Sequence, residues 1–78
     1  MSKTPWNRVI LEEFVSLALL TEEEEKILRT RIAGYSQVQQ SLALHVSTAT
    51  VERMVRKMKE KYIALVPYSD KLPIDLDF

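Results

Sequence analysis

The chain has 78 residues, one histidine, one glycine and no cysteine, and its eleven basic and eleven acidic residues cancel. A chain this short builds one core, not two. Its composition excludes disulfides, thiolate or multi-histidine zinc sites, and the glycine-rich loops that cradle nucleotide phosphates.

The first helix is expected over residues 5–20, with Thr4 as its cap and Pro5 in its first turn. Trp6, Val9, Ile10, Phe14 and Leu17 recur at spacings of three and four, which makes one apolar stripe. Leu11, Val15 and Ala18 form a second stripe beside it. Together they exceed the apolar arc of ~100° or slightly more that an ordinary surface helix needs. Such a helix is either central to the core or shared with a second copy. In the second case Leu11, Val15, Ala18 and Leu19 are the homodimer-interface candidates.

Thr21 opens a second helix, and Glu24 three residues on completes a capping-box pattern. Glu22 to Glu25 lie where the helix dipole favours negative charge. Consecutive residues fan around the axis, so this run reads as a solvated helix start rather than a metal site. Ile27, Leu28 and Ile32 supply its buried side, and Gly34 ends it.

A short third helix runs from Ser36 to Leu44, with Val38, Leu42 and Ala43 turned inward. His45-Val46-Ser47 interrupts the pattern. Ser47 caps a fourth helix from Thr48 to Leu65. Val51, Met54, Val55, Met58 and Tyr62 line one side of it. Ala49, Glu52, Arg53, Arg56, Lys57 and Glu60 line the other. Beyond Leu65, Pro67 and Pro73 bracket a turn-like Ser69-Asp70-Lys71, and Ile74 to Phe78 alternate apolar with acidic. This segment folds back on the helices or forms an edge strand.

The fold class is therefore all-α: a small bundle of about four helices containing a helix-turn-helix, with an extended C-terminal tail. The domain covers 1–66, with an N-terminal helix 5–20 and a helix-turn-helix core 21–65, and the tail covers 67–78.

Positive charge is concentrated despite the zero sum. Thr48–Tyr62 carries Arg53, Arg56, Lys57, Lys59 and Lys61 against Glu52 and Glu60. A partner that docks there meets the local field, not the average. The motif around it has physical requirements. A small residue, Ser41 or Ala43, must allow close crossing of the two helices. The turn must tolerate unusual dihedrals, and Val46 must fill the space between the helices.

Leu20-Thr21-Glu22-Glu23-Glu24-Glu25-Lys26-Ile27-Leu28 resembles the opening of LuxR-type DNA-binding domains and of the fourth conserved region of bacterial sigma factors. Gly34-Tyr35-Ser36 matches their Gly-x-Ser step. Leu44-His45-Val46-Ser47-Thr48-Ala49-Thr50-Val51 matches their Leu-Gly-Ile/Val-Ser-x-x-Thr-Val. The likeness covers residues 20–62. It departs at His45, where those families carry Gly, and at Gln40-Ser41, where they carry Ile-Ala.

The resemblance implies a sequence-specific DNA-binding transcriptional regulator, a stand-alone module of phage or mobile-element type, with helix 48–62 in the major groove. The residues agree with that placement. Thr48, Ala49, Glu52 and Arg53 fall in the first turns, where a recognition helix meets base edges. Arg53 suits a guanine edge and Glu52 a cytosine amino group. Arg56, Lys57 and Lys59 are placed for phosphates, as are Ser36 and Gln37 at the start of the third helix.

The expected partners are double-stranded DNA and a second copy. The alternative is an interaction module that keeps the scaffold and binds a protein such as RNA polymerase. No apolar run spans a membrane and Met1–Trp6 lacks a signal-peptide core, so the cytoplasm is the expected location. No cofactor and no enzymatic activity are expected, because spacing places no nucleophile, metal set or carboxylate pair. His45 reads as a turn residue, Met54 and Met58 as core spacers, and Trp6 as a packing anchor.

Overall fold

The computed structural model describes residues 3–78; Met1 and Ser2, the start of the Met1–Trp6 stretch expected to lack a signal-peptide core, lie outside them. Four helices follow in order: α1 (Arg8–Ala18), α2 (Glu22–Ile32), α3 (Gln37–Leu44) and α4 (Thr48–Leu65). A 3-10 turn, Val66–Tyr68, succeeds α4. The expected all-α bundle of four helices is what forms. Among the described residues the only β element is an isolated parallel bridge between Thr4 and Leu76.

α1 is shorter than the expected 5–20. Asn7, not Thr4, is its cap, accepting the Ile10 N–H at 2.9 Å. Asn is at least as good a cap as Thr, and Thr4 is engaged elsewhere. Its backbone pairs with Asp75 and Asp77, and its hydroxyl donates to the Asp75 carboxylate at 2.9 Å. The helix ends early because Leu19 turns left-handed, at φ 51°. Of its first stripe, Ile10 and Phe14 are buried but Val9 and Leu17 are exposed. Leu11, Val15 and Ala18 are half-buried against the chain's own core. The second stripe thus packs in part against the chain's own core. Leu19 alone of the four homodimer-interface candidates is fully exposed.

α2 begins with the expected capping box. The Glu24 N–H donates to Thr21 Oγ1 at 3.2 Å, and Thr21 N–H donates to Glu24 Oε1 at 3.1 Å. Gly34, at φ 97°, closes the helix. Tyr35 N–H reaches the Thr30 carbonyl and Gly34 N–H the Arg31 carbonyl, which is the Schellman arrangement. The glutamate run is not uniformly solvated, however. Glu24 is buried and pairs with Lys61 of α4 at 3.2 Å. Burial pushes its carboxyl pKa up, but the Thr21 N–H and the Lys61 ammonium outweigh this and hold it below the ordinary value.

α3 is rotated from expectation. Val38, Leu42 and Ala43 face solvent, whereas Gln40 and Ser41 are buried. Gln40 Nε2 donates to the Ile27 carbonyl at 2.7 Å and to Thr30 Oγ1 at 3.1 Å. Ser41 Oγ donates to the Val38 carbonyl at 2.7 Å. Small size and these bonds let the polar pair occupy the seat that an apolar pair would otherwise fill. Gln40 Oε1 has no hydrogen-bond partner among the described residues.

α4 packs on the other three helices and is the spine of the bundle. Val51, Met58 and Tyr62 are buried and Met54 and Val55 half-buried, as its spacing predicts. Segment 67–78 folds back, the first of its two expected placements, and belongs to the same core as residues 3–66. Leu72 and Leu76 are buried. Trp6, Phe14, Tyr62 and Phe78 form a cluster in which every pair of ring centroids is 5.3–6.2 Å apart. The Tyr62 hydroxyl donates to the Pro73 carbonyl. Burial, and then the Asp75 charge, raise the Tyr62 pKa above its ordinary value. The segment starts as a 3-10 turn rather than an extended chain, because Pro67 cannot continue the α-helical hydrogen bonds.

Candidate nucleic-acid interface

The candidate site is assembled from α3, the turn and α4. Ser36 caps α3 in a second capping box: Gln39 N–H donates to Ser36 Oγ at 3.1 Å and Ser36 N–H to Gln39 Oε1 at 2.8 Å. The Ser36 oxygen is thus occupied as an acceptor, while its proton remains able to donate. Ser36 and Gln37 are both exposed.

His45 ends α3 at φ 57°. This left-handed conformation is one in which His is enriched among non-glycine residues. It turns the chain so that Val46 lies half-buried against the core and Ser47 caps α4, accepting the Thr50 N–H at 3.1 Å. α3 and α4 pack directly on each other across this turn.

The inward side of α4 fixes the outward one. With Val51, Val55 and Met58 directed to the core, residues offset by about half a turn must face away. Thr48, Ala49, Glu52 and Arg53 are all exposed, and so are Arg56, Lys57, Lys59 and Glu60. The Arg56–Glu52 pair is 3.7 Å apart and both side chains are about two-thirds exposed. Such a pair is worth little and is easily exchanged for another partner. Lys61 is the one basic residue of this helix drawn inward, by Glu24.

Among the described residues, no hydrogen bond or ring contact of segment 67–78 reaches residues 48–60; its bonds outside the segment go to Thr4, Glu13, Arg31, Tyr62 and Val66. The outcome is a ridge with the guanidiniums of Arg53 and Arg56 and the ammonium of Lys57, led by a small residue at Ala49; Lys59, two residues past Lys57, is exposed on the other flank of the helix. Sequence reasoning missed Arg31 and Tyr35, which border an open cleft with Pro5, Trp6, Asp77 and Phe78. The Gly34 cap was the available signal, because it throws Tyr35 outward. Arg31 also donates to the Phe78 carbonyl at 3.4 Å.

Among the described residues no three His, Asp or Glu side chains converge as a metal site would require. No described helix is long and apolar enough to cross a membrane. No protein-family model, no characterised protein and no solved structure matches the chain.

Proposed function

We propose that the chain is a sequence-specific DNA-binding transcriptional regulator of the helix-turn-helix kind, with α4 entering the major groove. One observation carries this reading. Thr48, Ala49, Glu52, Arg53, Arg56 and Lys57 stand exposed on a single ridge that the rest of the chain leaves uncovered. Arg53 addresses a guanine edge and Glu52 a cytosine amino group. Arg56, Lys57 and Lys59 neutralise phosphates, and Ser36 and Gln37 offer a hydroxyl and an amide to the same strand. The protein then works in the cytoplasm, beside the DNA of a cell, phage or mobile element.

Selection of bound sequences from a random duplex pool, followed by gel shifts across salt, tests it. Three phosphate-neutralising cations predict a slope of log K against log salt of about −2.7 per copy. Arg56→Ala lowers that slope by about 1 without changing the preferred sequence, whereas Arg53→Ala costs about 1–3 kcal/mol and relaxes it. Both sites are exposed, so each variant keeps stability within about 0.5 kcal/mol. Selection that enriches no sequence, or binding indifferent to salt, removes the proposal.

A second reading is favoured by Val38 and Leu42, an exposed apolar pair one turn apart on α3. It makes the scaffold an interaction module for a protein such as RNA polymerase. Activity that survives loss of Arg53 and Arg56 but not of Leu42 selects it.

A further inference from the structure

The outward line of α4 can be traced from its inward one. Val51 and Met58 are fully buried. Ala49 and Arg53 stand two residues either side of Val51, and Arg56 and Glu60 two residues either side of Met58. Two residues are about 200° round the axis, so these four form the midline of the outward face, and all four are exposed. Three of them are long and charged. Ala49 alone ends at a methyl group. The two ends of the line also differ. Glu60, about 16 Å from Ala49 along the helix, has the same sign of charge as a phosphate and is repelled by one. The first turn of α4 carries no acidic residue, although the helix dipole favours them there and the first turn of α2 has four. The end of the line suited to approach a duplex is therefore the end with Ala49.

We propose that Ala49 is a specificity-determining residue, which packs its methyl group on the C5-methyl of a thymine in the major groove while Arg53, four residues on along the same face, takes the guanine edge. The inference rests on the DNA reading and narrows it to a kind of base. A methyl side chain neither donates nor accepts a hydrogen bond, so polar base edges give it no preference. The apolar group on the major-groove edge of unmodified DNA is the thymine methyl. One carbon at this position also lets the backbone of the first turn come close to the base edge, where a longer side chain would hold it off. Ser47 and Thr50 turn their hydroxyls to each other at 2.9 Å, which leaves Ala49 as the side chain of this turn on the midline.

Gel shifts on the duplex selected from the random pool test the contact, repeated with each thymine in turn replaced by deoxyuridine, which lacks only the methyl group. One such replacement is expected to weaken wild-type binding about fourfold, the effect of burying one methyl group. Ala49→Gly should bind the thymine duplex about fourfold more weakly and no longer distinguish that thymine from deoxyuridine. The ratio between the two duplexes within one variant cancels any loss of folded protein. A selected duplex in which no thymine methyl matters overturns the proposal, and so does a thymine preference that Ala49→Gly keeps in full. In both cases salt-dependent binding of the selected duplex leaves the DNA reading standing. A pool that enriches no sequence removes the DNA reading and the thymine contact with it.

Discussion

At its C-terminal end α4 is gripped through its own Tyr62 by three aromatic rings, and by two leucines from the returning segment 67–78. At its N-terminal end it meets α3, whose buried residues are a glutamine and a serine. Rings at these separations add about 0.5–1.5 kcal/mol per pair beyond the area they bury. A buried amide contributes far less once its desolvation is counted, and less again with one lone-pair atom unpaired. The bundle therefore concentrates its stability at the end away from the ridge. At the ridge end, caps and hydrogen bonds set direction and are added to the apolar packing of Leu44, Val46 and Val51.

The comparison breaks first if the returning segment is dispensable. Leu76→Ala removes a buried side chain that also anchors the Thr4 bridge. Such truncations cost about 2–5 kcal/mol, against a total of roughly 5 kcal/mol for a domain at the small end. Urea unfolding should show a large loss, with the ridge failing at the same denaturant concentration as the aromatic cluster. A loss under about 1 kcal/mol would mean that the C-terminal clasp is not the stable half.

The next test is the link between the halves, the Glu24–Lys61 pair that joins the start of α2 to α4. Glu24→Gln keeps the capping box, since Gln also accepts from Thr21 N–H, but it removes the charge. The carboxyl has a lowered folded pKa, so its contribution is present above the unfolded value, about 4.3, and is lost as pH falls through the folded one. Wild type should therefore lose stability on acidification through that window more steeply than Glu24→Gln. At neutral pH the variant should be about 1 kcal/mol less stable. Identical acid limbs would show that the pair does not hold the halves together.

These differences also explain how much was legible in the sequence. The apolar period of α4, the Thr21 and Ser47 caps and the Gly34 stop are local signals, and each specified its element. The rotation of α3 was not local. Val38, Leu42 and Ala43 look like an inward face, but Gln40 finds the Ile27 carbonyl and Thr30 hydroxyl on α2, partners that only the tertiary fold supplies. The returning segment was ambiguous for the same reason. Nothing near Leu72 or Leu76 in the chain says that Trp6 and Phe14 leave room for Phe78. The exposure of the ridge was predictable because it follows from the helical period once Val51 and Met58 are inside.

Gln40 offers a smaller test of the polar seat. Gln40→Met removes the unpaired oxygen and leaves no new unpaired group, because the Thr30 hydroxyl still donates to the carbonyls of Lys26 and Ile27. The change should be neutral or stabilising by up to about 1 kcal/mol, read from the urea midpoint. A loss of more than that would mean that the amide, not the shape of the seat, positions α3.

The smallest effect belongs to the turn. His45 sits at φ 57° with its side chain exposed, so it contributes little besides its backbone conformation. Glycine adopts that conformation without the clash of a Cβ, although it also widens the unfolded ensemble. His45→Gly should raise stability by under about 1 kcal/mol. Leu19→Gly, at φ 51° and equally exposed, supplies the control on the α1 side. If the turn only sets the crossing of α3 and α4, both substitutions raise the melting temperature by similar amounts and DNA binding is unchanged. If His45→Gly stabilises the fold yet weakens binding while Leu19→Gly does not, the strained turn is holding the ridge at an angle that a relaxed one loses. The two ends of α4 would then differ not only in what they are built from, but in whether their strain serves the site.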